Sequence, residues 1–170
     1  MIERLPAMLD IEASGFGRGS YPIEIGAALE NGEVFSMLVR PEPDWQHWDE
    51  QAESVHGISR ELLISNGLPI REVAETLNQR LEGLVVYSDG WGFDSSWLSL
   101  LFYSAHKKQA FRLDTIARVM SEHQMQVWDV EKEKIRQAMQ IGYHRAGQDA
   151  AVLQKTWIAT RQNQSQANKG

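Results

Sequence analysis

Cysteine is absent from the chain, which has 170 residues. Disulfide bonds, zinc sites built on thiolates and catalytic cysteines are therefore all excluded. Basic residues are the minority among the charges, with 17 Lys and Arg against 23 Asp and Glu, and the formal net charge is −6. A chain with this balance is a poor candidate for coating duplex nucleic acid by charge alone.

Long apolar runs are also lacking, and none approaches the length of a membrane-spanning helix. Residues 1–6 do not contain the apolar core of a signal peptide. We therefore expect a cytoplasmic protein that does not bind membranes. A hydrophobic content of 42% suits a single folded domain over residues 1–160, while the Gln- and Asn-rich residues 161–170 predict a frayed polar tail.

The order of the apolar patterns predicts an α/β fold. Two apolar runs flank Asn31-Gly32, a strong hairpin signal, and another strand precedes them at residues 7–12. A hairpin followed by alternating strands and helices indicates a mixed central sheet flanked by helices. The later predicted elements are helices at 70–81, 93–105, 131–139 and 147–161, a buried strand at 84–87 and a weaker strand at 111–115.

Two carboxylates interrupt the first predicted strand. Asp10 and Glu12 are two residues apart, so both side chains project from the same face. Like charges that are close together repel and are costly to desolvate, and a bound divalent cation removes that penalty. The alternative is that Asp10 ends the strand and Glu12 is a solvated turn residue. Taken alone, the pair favours the alternative.

A histidine and an acid stand near the start of the last predicted helix. Within one helix, His144 and Asp149 would point about 140° apart, so a shared site requires His144 to lie on the preceding loop. Asp149 precedes Val152 and Leu153 by three and four residues, which puts it on the apolar side, where an unpaired carboxylate is costly. The alternative is a first-turn Asp favoured by the helix dipole, with a surface histidine before it.

A further acid follows the predicted strand at 84–87. Asp94 opens the next helix after a turn at residues 88–92. It is a candidate metal ligand, but Asp is also among the preferred N-cap residues and stands where a cap is expected. Asp89, in the turn, is a second candidate for the same role.

Three motifs thus occur in order: Asp-x-Glu on the first strand, Phe-Asp after the middle strand and His-x-x-x-x-Asp at the last helix. In this order the sequence resembles the DEDDh, or DnaQ-like, 3′–5′ exonucleases, over about Leu9 to Trp157. The resemblance implies a ribonuclease H-like fold. One departure lies in the middle motif, where Asp89-Gly90-Trp91-Gly92 replaces the usual His-Asn ahead of Phe-Asp.

The resemblance also implies a mechanism and a set of site residues. Two divalent cations, Mg²⁺ or Mn²⁺, would support hydrolysis at the 3′ ends of single-stranded DNA or RNA, with nucleoside 5′-monophosphates as products. Some relatives dimerise, which leaves a homodimer open. The implied metal ligands are Asp10, Glu12, Asp94 and Asp149, and the implied general base is His144.

Substrate-binding candidates surround these motifs. Ser14, Gly15 and Phe16 occupy the place where the family often has Thr-Gly-Leu, and Phe16 is suited either to stacking on a terminal base or to core packing. His56 is a candidate for contact with the terminal sugar, its alternative being a surface histidine. Arg145 is a candidate phosphate ligand because a guanidinium binds phosphate bidentately.

Two other functions are compatible with the same fold. A nucleic-acid-binding or protein-interaction module without catalysis is one, because fold does not determine function. A metal-dependent phosphatase or nucleotidase is the other, and it would act on mononucleotides but not on oligonucleotides.

Overall fold

A five-stranded mixed sheet forms the centre of the fold in the computed structural model, which describes residues 4–167. The strand order is β3-β2-β1-β4-β5. The β1–β2 and β2–β3 pairs are antiparallel, and the β1–β4 and β4–β5 pairs are parallel. The predicted mixed sheet is thus confirmed. The strands are β1 Ala7–Ala13, β2 Pro22–Ala28, β3 Val34–Leu38, β4 Val85–Ser88 and β5 Arg112–Thr115.

Six α-helices flank the sheet in the described part of the chain, together with a 3₁₀ turn at Ile116–Val119. The first two were not predicted, because both are short and largely polar and carry no long apolar periodicity. Their start signals are the capping residues Asp49 and Ser59, whose side chains accept from the first-turn backbone. The helices are α1 Glu50–His56, α2 Arg60–Asn66, α3 Ile70–Leu81, α4 Trp91–Ser104, α5 Glu122–Ala138 and α6 Ala146–Ala167.

Helices α5 and α6 are longer than the sequence predicts. Helix α5 begins at Glu122 rather than at 131, after a capping box between Ser121 and Gln124. Helix α6 continues to Ala167, so residues 161–167 of the expected frayed tail are helical, and residues 168–170 lie outside the described residues. Within residues 4–167, none of the helices combines the length and hydropathy needed to cross a membrane.

The alternation of side chains along β1 separates two apolar clusters. Leu9 and Ile11 belong to the larger cluster, which includes buried residues of α3 and α4. Met8 belongs to the smaller cluster with buried residues of α5 and α6. Asp10 and Glu12 are two and four residues from Met8, so they lie on the face that α5 and α6 cover.

A glycine allows the start of α6 to approach the sheet closely. Gly26 of β2 pairs with Asp10 of β1, and a Cβ atom on Gly26 would lie 2.3 Å from the backbone carbon of Ala146 and 2.3 Å from the nitrogen of Gly147. The beginning of α6 therefore packs directly on the backbone of β2. This contact brings the first turn of α6 beside the acids of β1.

Candidate functional site

A cleft of about 360 Å³ lies beside the carboxylates of β1. Segments that are distant in the sequence contribute to its lining: β1 and the loop after it, α1, the start of α4, α5, and the region around the start of α6. The structure places in this lining all five residues that the sequence motifs single out: Asp10, Glu12, Asp94, His144 and Asp149.

The two carboxylates of β1 lie in surroundings that disfavour their negative charge. The Oδ2 atom of Asp10 is buried and has no hydrogen-bond partner. Burial, followed by repulsion from Glu12, holds the pKa of Asp10 well above its usual range. Burial and repulsion from Asp149 raise the pKa of Glu12 to about 8. A pair of acids in this environment is stable only when protonated or when cations neutralise them.

Asp94 is buried in the first turn of α4, with 4% of its surface exposed. Ser88, at the end of β4, donates its hydroxyl to Oδ2 of Asp94 and accepts from the backbone N–H of Gly90 at 3.1 Å. Burial raises the pKa of Asp94 to about 7 in spite of the Ser88 hydrogen bond. The N-cap interpretation of Asp94 is wrong, because α4 begins at Trp91 with Gly90 as its cap.

His144 lies on the loop ahead of α6, as a shared site with Asp149 requires. Its Nδ1 atom is 3.0 Å from Oδ2 of Asp149, and the other carboxylate oxygen of Asp149 accepts from the guanidinium of Arg136. One ligand atom each of Glu12, His144 and Asp149 lies within 4.8 Å of the other two. These three side chains are therefore close enough to share one bound cation.

The loop that carries His144 is held by backbone and ring contacts. The N–H of His144 donates to the carbonyl of Val55 at 2.9 Å. The ring of Tyr143 packs over Gly57, where a Cβ atom would lie 2.9 Å from the ring. Gly57 also has a φ of 69°, the left-handed conformation that favours glycine. The turn after α1 is thus shaped to receive the loop.

Arg145 is paired with a buried acid and does not line the cleft. Its Nε and Nη2 atoms donate to the carboxylate of Glu24, the shortest of these bonds being 2.6 Å, and the same carboxylate accepts from the backbone N–H of Ala146 at 2.8 Å. Glu24 is 2% exposed. The guanidinium that the sequence suggests for phosphate binding thus links the start of α6 to β2.

The candidate substrate residues after β1 divide into two groups. Ser14 is fully buried and bonds to Nδ1 of His47 at 2.9 Å and to the N–H of Tyr21 at 3.1 Å, so it supports the loop. Gly15 and Phe16 line the cleft. A Cβ on Gly15 would lie 2.7 Å from Asp49, which explains the glycine there.

Three aromatic rings stand together at the cleft. Phe16 is 67% exposed and meets the ring of Phe93 edge-on at 5.0 Å between centroids. Phe93, itself 56% exposed, stacks on Trp97 at 5.8 Å. Phe16 therefore does not pack into the core, and the group offers an exposed aromatic surface of the kind on which bases stack.

His56 also lines the cleft, at the end of α1. The surface-histidine interpretation is wrong, because only 2% of this residue is exposed. Its Nδ1 atom accepts from the N–H of Ile58 at 3.0 Å, and burial lowers its pKa. An imidazole in this state is neutral near pH 7 and suits hydrogen bonding rather than charge pairing.

Two cations of the cleft, Lys132 and Arg136 of α5, were not predicted from the sequence. Lys132 reaches Oδ2 of Asp89 at 3.1 Å, and Arg136 is bound to Asp149. Asp89 lines the cleft as well. Their spacing of four puts both side chains on one face of the helix, which is the signal that the sequence offers. The sequence does not show which part of the fold that face covers.

No protein-family model matches the chain, and no curated protein does. Solved structures do match. Escherichia coli Exonuclease I in complex with a 5cy-dA13 oligonucleotide superposes with a TM-score of 0.66 at 15% identity over 95% of this chain and 41% of that chain. Exonuclease I from Methylocaldum szegediense gives 0.65 at 14% identity over 92% of this chain and 40% of that one.

This chain has the fold of these exonucleases. The Mopeia virus exonuclease domain, partially complexed with manganese, shares it too, with a TM-score of 0.57 at 16% identity over 94% of this chain and 79% of that chain. The chain spans about two-fifths of the length of the exonuclease I chains. The ribonuclease H-like fold that the resemblance implies is thus confirmed.

Proposed function

We propose that the chain is a metal-dependent 3′–5′ exonuclease that releases nucleoside 5′-monophosphates from the 3′ ends of single-stranded DNA or RNA. The observation that carries the proposal is the convergence, in one cleft of an exonuclease fold, of acids from β1, α4 and α6 with a histidine from the loop before α6. Fold alone would not support it, because one fold hosts many functions.

The acids fit divalent cations. The buried Oδ2 atom of Asp10 lacks a hydrogen-bond partner. The charged groups around it are carboxylates, whose oxygens are suitable ligands for hard cations such as Mg²⁺ and Mn²⁺. Asp10, Glu12, Asp94 and Asp149 are the residues that would hold two such ions. When bound, the ions would supply Lewis acidity, activating water and stabilising the leaving 3′ oxygen.

His144 is the proposed general base. An ionised Asp149 only accepts hydrogen bonds, so Nδ1 of His144 carries the proton in their 3.0 Å contact and Nε2 keeps a free lone pair. The imidazole side chain is 47% exposed, so water reaches it. Asp149 then orients the imidazole and stabilises its protonated form after it has taken a proton from water.

Gly15, Phe16 and His56 are the proposed contacts to the terminal nucleotides. The exposed ring of Phe16 and its neighbour Phe93 offer faces and edges to a base, and the backbone at Gly15 allows close approach. A single strand presents its bases for such stacking, whereas a duplex does not. A single-domain boundary at residue 160, a homodimer and a cytoplasmic location stay predictions.

The test is hydrolysis of single-stranded oligonucleotides with Mg²⁺ or Mn²⁺. A 5′-labelled strand should shorten progressively, a 3′-labelled strand should release a labelled mononucleotide first, and a chelator should stop both reactions. Asp10→Asn and His144→Ala should each lower the rate at least about a hundred-fold. Glu33→Gln, a change at a surface carboxylate whose side chain is 56% exposed and does not line the cleft, is the matched control and should retain activity.

Other results separate the alternatives. Full activity in both site variants would contradict the assignment of the cleft. Release of phosphate from mononucleotides, without shortening of oligonucleotides, would indicate a phosphatase or nucleotidase. Binding of oligonucleotides without hydrolysis under any metal would indicate a non-catalytic module. Matched DNA, RNA and dinucleotide substrates would show which chemical class is preferred.

A further inference from the structure

Two cations of α5 enter the cleft one helical turn apart. Lys132 and Arg136 both line it, as their spacing of four on a helix requires of side chains on one face. Lys134, between them, points elsewhere: its side chain is 64% exposed and its Nζ lies 2.7 Å from Glu131. Helix α5 thus directs two of its three Lys and Arg side chains at the site.

Both cations are withdrawn from water and rest on cleft carboxylates. The Arg136 side chain is 13% exposed and donates through Nη1 to Asp149, and the Lys132 side chain is 29% exposed beside Asp89. The described contacts of Arg136 use one of the five N–H donors of its guanidinium. Donors therefore remain for an anionic ligand in the cleft.

The cleft needs basic side chains to attract an anionic strand, because its other charged groups are carboxylates. Five carboxylates line it, when ionised, against Lys132 and Arg136, an excess of three negative charges that repels phosphate. Two divalent cations would convert this excess into one positive charge. Without the two basic side chains, the cleft would stay negative even with both metal ions bound, and a polyanionic strand would be attracted weakly.

We propose that Lys132 and Arg136 bind backbone phosphates of the strand in the cleft. Arg136, beside Asp149 and therefore near His144, binds the phosphate that is attacked, and Lys132 binds an adjacent phosphate. The planar guanidinium suits a bidentate contact with phosphate oxygens, and the ammonium acts as a point charge. This inference rests on the proposed function.

Binding without turnover tests it. Anisotropy of a 5′-fluorescein single-stranded octanucleotide is measured in Ca²⁺ over a range of salt, with a gel to verify that the strand stays intact. Lys132→Gln and Arg136→Gln should each weaken binding about ten-fold, as loss of a charged hydrogen bond does. A plot of the logarithm of the binding constant against the logarithm of the salt concentration has a negative slope. Each variant should reduce the magnitude of that slope by about 0.7, which corresponds to the loss of one phosphate contact. Lys134→Gln is the matched control and should change neither quantity.

A second comparison separates direct contact from charge imbalance, because Arg136→Gln also leaves Oδ1 of Asp149 without its cationic partner. In an Asp149→Asn background that imbalance is absent, and Arg136→Gln should still weaken binding about ten-fold. If the loss disappears in this background, or if neither α5 variant changes the salt slope, the proposal is overturned. Thermal melting of each variant verifies folding, and Lys132→Gln carries the test if Arg136→Gln does not fold.

Different results would contradict the phosphate contacts of α5 and the proposed exonuclease activity. A wild-type protein that shortens oligonucleotides while both α5 variants bind them normally overturns this inference and leaves the proposed function intact. A wild-type protein that neither binds nor shortens any strand contradicts the proposed function itself.

Discussion

Glu12 and Asp94 bind protons more tightly in the folded chain than in the unfolded one. The pKa of Glu12 rises from 4.5 to about 8 and that of Asp94 from 3.8 to about 7. A raised pKa stabilises the folded state below the unfolded value, and this contribution is lost as pH rises through the folded value. The free energy of unfolding of the metal-free protein is therefore expected to fall as the pH rises from about 4.5 to about 8.

Glu12→Gln removes one of these titrations. In the presence of a chelator, the wild-type protein should lose free energy of unfolding relative to Glu12→Gln as the pH rises from about 4.5 to about 8. Urea unfolding at several pH values measures the difference. A difference that stays constant across this range would contradict the burial of Glu12, whichever reaction the cleft performs.

The buried carboxylate of Glu24 stabilises the fold through its hydrogen bonds to Arg145 and to the backbone of Ala146. Glu24→Gln should lower the free energy of unfolding by about 1.5–3 kcal/mol, because the buried carboxylate accepts charged hydrogen bonds from Arg145. The control is Glu33→Gln, since the Glu33–Arg80 pair lies at the surface and should contribute less than about 1 kcal/mol. Equal losses in chemical denaturation would show that the buried pair does not anchor α6.

At this scale the sequence singled out the acids and the histidine that the cleft brings together, but it did not reveal the partner of Arg145. Asp10, Asp149 and His144 were found because charged residues interrupt apolar patterns at meaningful spacings. The partner of Arg145, Glu24, is 121 residues away, and no local pattern pairs the two residues. Lys132 was missed for a related reason: a charged residue on a helix looks solvated until the neighbouring element is known.

At the scale of elements, the approach of α6 to β2 depends on the absence of a side chain at Gly26. Gly26→Ala would place a Cβ 2.3 Å from backbone atoms of α6, and backbone cannot give way as a flexible side chain can. We expect a loss of about 1–3 kcal/mol or more of unfolding free energy. Displacement of Asp149 should also weaken Mn²⁺ binding, measured by titration calorimetry.

Gly92→Ala is the matched control for this substitution. Gly92 lies in α4, and a Cβ there meets no atom within 4 Å. Alanine at a compatible helical position should stabilise the protein by about 0.4–1 kcal/mol through the unfolded chain. If Gly26→Ala is as well tolerated as Gly92→Ala, the start of α6 does not pack on β2 as described.

Most elements could be predicted from the sequence, and the exceptions have local causes. The hairpin around Asn31-Gly32 and the helix at 70–81 carry strong periodic signals, and both occur. Helix α1 was not predicted because it has seven residues, of which His56 is the buried one, so it shows no apolar periodicity. The start of α5 was placed at 131, whereas the helix begins at Glu122, and the signal that starts it is the cap at Ser121.

At the scale of the whole molecule, the proposed metal ligands connect segments that are far apart in the chain. Mn²⁺ at about a hundred times its dissociation constant should stabilise the folded protein by about 2.7 kcal/mol, because the unfolded chain has no assembled site. Thermal melting should show an upward shift of several degrees in the wild type and in Glu33→Gln. Asp10→Asn should melt higher than the wild type in chelator and gain little from Mn²⁺.

The pairing of Glu24 with Arg145 has a consequence for the synthesis of the protein. Contacts between residues 121 positions apart close a long loop, and such contacts tend to form late in folding. A nascent chain that has emerged only as far as α5 holds Asp10, Glu12 and Asp94 but neither the histidine nor Asp149. The proposed metal site would therefore be complete only when the last helix has joined the sheet.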